Sequence, residues 1–132
     1  MAKAITKKST LPLVEPVPHV ALPDQFCVFD GGSWSVARLI ECAKDLPEFD
    51  LPLVHMDLSD VLWEDCTPRQ MAGHIIAVQN ADPTKPIILC ADGSILDGRH
   101  RVVKAIVEGR QSVRAVRFAE NPAPCVGDDP GG

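Results

Sequence analysis

Residues 86–101, Pro86-Ile87-Ile88-Leu89-Cys90-Ala91-Asp92-Gly93-Ser94-Ile95-Leu96-Asp97-Gly98-Arg99-His100-Arg101, carry the clearest structural signal in this chain. Pro86 to Cys90 is a short apolar run of the kind that forms a strand buried on both faces. Ala91-Asp92-Gly93-Ser94 follows as a hairpin turn, with Gly93 placed where φ must turn positive. Ile95-Leu96 returns as the second strand. Asp97 to Arg101 then leads into a helix expected over about 100–108. Val102, Val103, Ile106 and Val107 form its apolar stripe, and Gly109 ends it.

The same rules extend outward from this block. Upstream, Phe26-Cys27-Val28-Phe29 closed by Asp30-Gly31-Gly32 reads as a strand and turn. Ser33 is an N-cap candidate for a helix over about 34–45, with Val36, Leu39, Ile40 and Ala43 at helical spacing and Pro47 as its stop. Leu51 to Leu58 alternates and reads as a strand. Asp65 or Thr67 can cap a second helix that has Pro68 in its first turn and turns Met71, Ile75 and Val78 to the core. Downstream, Ser112 to Phe118 reads as a final, half-buried strand. The order predicts an α+β fold: a small mixed sheet packed with about three helices. Residues 1–23, with prolines at 12, 16, 18 and 23, are expected to form a tail, 24–119 the domain and 120–132 a second loose end.

The totals narrow the function classes. A chain of 132 residues, 45% hydrophobic, can bury one core. A net charge of −5 argues against binding DNA through a broadly basic face, although basic residues can still cluster locally. No apolar run approaches the roughly 20 residues needed to cross a bilayer, and no secretory leader is visible, so a cytoplasmic protein with no membrane partner is expected. The five cysteines are odd in number and none are spaced C-x-x-C, which points to free thiols. With 5% aromatics and no tyrosine, a stacking platform for bases is not expected. His55 and His74 read as structural residues, Trp34 and Trp63 as packing residues.

The chemistry concentrates at the strand-to-helix junction. A helix start offers unpaired N–H groups and the positive end of the dipole. Gly98 lets backbone come close to a bound anion. Arg99, His100 and Arg101 add donors, and Arg101 can grip phosphate oxygens with two parallel bonds. Asp97 can cap the helix, orient His100 or hold a metal. Two cations at a helix start oppose the dipole unless an anion joins them. The physical expectation is therefore a phosphate cradle.

At these residues the sequence resembles the superfamily that joins the N-terminal domain of ParB partition proteins with sulfiredoxin. The likeness runs through Pro86–Leu89, Asp92-Gly93, Ile95–Arg101, Ala105, Gly109 and Val113–Val116, and more weakly through the 51–58 and 67–79 segments. The partition proteins' G-x-x-R-x-x-A box matches at Gly98 and Arg101, with Lys104 at the alanine position and Ala105 one place late. Their further nucleotide motif and DNA-reading helices have no counterpart. Sulfiredoxin's G-C-H-R matches at Gly98, His100 and Arg101, but Arg99 stands where its cysteine would be, so a sulfiredoxin-type reductase is excluded. The D-G-H-H-R of the superfamily's serine kinase matches at Asp97, Gly98, His100 and Arg101.

The resemblance implies ATP or CTP as ligand, with Mg²⁺. It implies phosphate contacts from Gly98, Arg99, His100, Arg101 and, by loose alignment, Arg69. It places Asp97 and His100 at the reacting phosphate, with Asp97 as a metal ligand. Glu64 or Asp65 is the guess for a kinase's carboxylate base, and Asp57, Asp60, Glu64 and Asp65 are acids that could approach the metal. The leading expectation is nucleotide binding with phosphoryl-transfer or nuclease chemistry linked to DNA maintenance. A non-catalytic adaptor for a protein or nucleic acid, and a small-metabolite kinase, are the alternatives.

Overall fold

The structure, a computed structural model, describes residues 11–18, 25–29, 32–59, 62–63 and 66–124. In chain order they form β1 (Phe26–Phe29), β2 (Gly32–Ser35), α1 (Val36–Ala43), β3 (Phe49–Pro52), a 3-10 turn (Leu53–His55), α2 (Pro68–Asn80), β4 (Ile87–Leu89), β5 (Ile95–Asp97), α3 (Arg99–Val107) and β6 (Ser112–Arg117). One sheet has the order β3-β6-β4-β5, in which β6 runs antiparallel to β3 and parallel to β4, and β4 antiparallel to β5. Strands β1 and β2 pair separately, with Cys27 opposite Trp34. The fold is the expected small mixed α/β arrangement with three helices among the described residues.

All three side chains of β4 are buried because both faces of the sheet are covered. Strand alternation sends Ile88, with Val116 and Leu96, to the face packed by Trp34, Leu39 and Ala43. It sends Ile87 and Leu89, with Ala115, to the opposite face, where Val102, Ala105 and Leu53 pack. In the β4–β5 turn, Gly93 has φ 95°. The Asp92 carboxylate accepts from the Ser94 N–H at 2.9 Å and from the Cys90 thiol, and these bonds push its pKa down to about 2.

Several expectations shift. The first helix starts at Val36, not near 34, because residues 32–35 pair with β1. Ser35 rather than Ser33 is its N-cap, accepting from the Arg38 N–H. The strand expected from Leu51 to Leu58 is β3 followed by the 3-10 turn, which leaves His55 exposed outside the sheet. Pro52 cannot donate to a ladder, and β3 is an edge strand that ends there. The final strand, β6, lies in the sheet's interior between β3 and β4.

Helix α2 has the capping box of Thr67 and Gln70 with Pro68 at its start. Its expected core residues Met71 and Ile75 are instead exposed, and the one residue buried outright is Gly73. With the sheet faces already covered, α2 packs on α3. Residues 15–18 of the N-terminal segment cross its outer side. The Val17 N–H donates to the Arg69 carbonyl at 3.0 Å, and Arg69 Nε donates to the Glu15 carbonyl at 2.7 Å. On α3 the buried positions are Val102 and Ala105, whereas Ile106 and Val107 of the expected stripe are exposed. The small Ala105 lets the helix lie close to the sheet.

At the other end, residues 121–124 are tied to the domain. Trp34 Nε1 donates to the Pro122 carbonyl at 2.7 Å, Arg38 donates to the Ala123 carbonyl, and the Ala91 N–H donates to Asn121 Oδ1 at 2.8 Å. Among the described residues, no helix is long and apolar enough to cross a membrane.

Candidate functional site

The turn from β5 into α3 is built around Gly98. Its φ is +114°, and a Cβ there would lie 2.5 Å from Ile87 Cγ2. The glycine is therefore required first by the sheet behind it, a constraint that the anion argument from sequence did not include. It occupies the N-cap position of α3 without a side-chain cap, so the first N–H groups of α3 have no capping side chain at Gly98.

Arg99 and His100, the first residues of α3, line a pocket of about 400 Å³ together with Asp97, Gly98 and Leu96. Its other walls are Gln25, Phe26, Cys27 and Val36 from the β1–α1 side, and Trp63. Arg99 Nη2 donates to the Ile95 carbonyl at 3.3 Å, which engages one of the guanidinium's five donors. Burial raises the pKa of the Cys27 thiol although the Arg99 guanidinium opposes it, so this wall is a neutral thiol.

Arg101 lies behind the pocket. Its Nη2 donates to Asp97 Oδ2 at 2.9 Å and its Nη1 to the Pro86 carbonyl at 2.6 Å. Both partners of this ion pair are about one-sixth exposed, with side-chain values of 17% and 16%. The carboxylate that the helix start calls for is therefore supplied in part by Asp97, which neutralises Arg101. The expected two-pronged phosphate grip of Arg101 gives way here to a brace that joins the end of β5, the start of β4 and the first turn of α3.

His100 is held from the α2 side. Its Nε2 lies 3.0 Å from His74 Nδ1. Trp63 stacks on His74 with ring centres 4.0 Å apart and planes 11° from parallel, and its ring centre is 5.2 Å from that of His100. Lys104 reaches back from α3 to the Gln79 and Ala81 carbonyls at 2.9 and 2.8 Å, fixing the end of α2 against α3.

Of the residues singled out from sequence, Asp97, Gly98, Arg99 and His100 come together at the pocket and Arg101 adjoins it. Arg69 is not among the lining residues. Asp60, Glu64 and Asp65 lie outside the described residues, and Asp57 is exposed and bonded to Ser59. The described residues contain no group of three His, Cys, Asp or Glu side chains that could hold a metal. Cys27, Trp63 and His74 are site residues that the sequence reading treated as a free thiol, packing and structure. No spacing rule links them to Arg99 or His100, because only the tertiary fold brings them near.

Comparisons with protein-family models, curated proteins and solved structures give no match for this chain.

Proposed function

We propose that this chain is a nucleotide-binding domain of the ParB/sulfiredoxin kind and that the phosphates of ATP or CTP lie at the start of α3. One observation carries the reading: left-handed Gly98 at the N-cap of α3, with Arg99 and His100 of its first turn, lines one pocket of about 400 Å³. Ligand pockets typically span about 300–1,000 Å³. Backbone donors, a guanidinium and an imidazole at a helix start form a donor set suited to an anion.

Arg99 and His100 make the phosphate contacts in this reading, while Arg101 keeps the turn in shape. A nucleotide would bring Mg²⁺ with it. Phosphate oxygens and water would supply most of the ion's ligands, because Asp97 is paired with Arg101. Binding is better supported than phosphoryl transfer or nuclease chemistry, since no unpaired carboxylate base is in place at the pocket among the described residues. One separate observation favours the adaptor reading. Leu11, Leu13 and Val14 are well exposed on the segment that leads into the stretch crossing α2, and could contact a protein.

Calorimetric titration with ATP and CTP, with and without Mg²⁺, tests the proposal. Arg99→Ala should weaken binding about ten- to a hundredfold, as expected for one lost charge-assisted bond of about 1.5–3 kcal/mol. A folded protein that binds neither nucleotide would overturn the reading and leave the adaptor.

A further inference from the structure

His74 and His100 meet head on. The distance between ring centres is 5.2 Å and the nitrogen separation is 3.0 Å. The first value is close to the second plus the two ring radii. Nδ1 of His74 and Nε2 of His100 therefore lie nearly on the line joining the rings, each pointing its lone pair or its proton at the other. Such a contact needs one proton between the two nitrogens. With none, two lone pairs face each other. With two, two N–H groups collide, and a pair in which both rings are imidazolium is always in that state. A joined pair can thus be neutral, or carry a single charge through an imidazolium donating to a neutral imidazole, the stronger form of the bond.

We propose that His74 is the positioning residue of the pocket: it holds His100 through one shared proton, and the two rings titrate as a unit whose charge faces the bound anion. Among the described residues, the other charged or titratable groups that line the pocket or adjoin it come from three elements. Arg99 lines it from α3, Asp97 from β5 with Arg101 as its partner, and Cys27 from β1. Lys104, also on α3, is engaged with the last carbonyls of α2. Trp63 lies on both imidazoles and keeps their planes within 30° of each other. An anion at Arg99 and His100 favours the singly charged pair, so its binding takes up a proton wherever the pair is otherwise neutral. A second proton separates His74 from His100 and undoes the contact between α2 and α3 at this point.

The inference rests on the phosphate reading only for the identity of the anion, and its first test needs no ligand. Imidazole nitrogen–proton NMR spectra of the full chain, followed from pH 5 to 8.5, should show the two rings shifting together at each of two steps. In His74→Gln the amide oxygen can still accept from His100 Nε2, so position is kept while coupling is lost. His100 should then titrate in one step. Rings that titrate independently in the wild type, or a His100 titration unchanged by His74→Gln, would overturn the inference.

The second test is pyrophosphate titration at pH 6 and 8 in two buffers of different ionisation enthalpy. Wild type should bind more tightly at the lower pH with net proton uptake. His74→Ala, which loses position as well as coupling, should bind about tenfold more weakly than His74→Gln. Binding with the same pH profile and proton count in wild type and His74→Gln would also count against the pair. Coupled rings with no pyrophosphate binding would uphold the positioning role of His74 and refute the phosphate reading, so the two failures are distinguishable.

Discussion

Gly98 bears two constraints at once. Its φ of +114° suits no L side chain, and a Cβ would enter the space of Ile87. Gly98→Ala must therefore strain the backbone and also push apart β4 and the start of α3. Each effect is of order 1–3 kcal/mol, so the variant should lose at least about 2 kcal/mol in denaturant unfolding. An unfolding midpoint equal to that of wild type would refute this account of the turn. Arg99 and Arg101 show how neighbours in sequence divide their work. They are two residues apart at a helix start, and so project in different directions. Arg99 lines the pocket, whereas Arg101 meets Asp97 one turn back and the Pro86 carbonyl. From the sequence both arginines were expected as phosphate ligands, with Arg101 as the two-pronged grip, and only their surroundings assign them different places.

The helices differ in how they were legible. Thr67-Pro68 with Gln70 is a capping box, a local device, and α2 begins where those residues place it. The face of α2 was not legible in the same way, because helical spacing says which residues share a face but not what covers it. Since α2 lies on α3 rather than on the sheet, Met71 and Ile75 stay exposed while Gly73 is buried and His74 meets His100. Lys104 secures this packing with two bonds to the closing carbonyls of α2, where a cation also complements the helix dipole. Lys104→Met keeps the aliphatic stem and removes both bonds. We expect a loss of about 1–2 kcal/mol, with faster amide exchange over the last turn of α2. Unchanged exchange there would mean that the lysine does not hold the helix.

Across the whole molecule, Trp34 joins distant parts of the chain. Its ring is buried with Leu39, Ala43, Ile88 and Phe118, and its Nε1 donates to the Pro122 carbonyl. Trp34→Phe should keep much of the packing and lose that bond. A fall of about 1 kcal/mol, and easier proteolytic cleavage near residues 121–124, are the expected results. Unaltered cleavage would show that the indole bond does not retain this segment. The sequence by itself determined the β4–turn–β5–α3 block, the start of α2 and the mixed α/β class. These follow from local causes: an apolar run, an Asp-Gly turn, a proline at a helix start and a glycine at a helix end. Only the tertiary structure decided that Arg101 braces Asp97, that Trp63 and Cys27 line the pocket while His74 meets His100, and that β6 lies inside the sheet. Those are contacts between segments far apart in sequence. Their partners are chosen by which faces remain uncovered once the sheet and its two flanking helices have packed, and no local pattern records that choice.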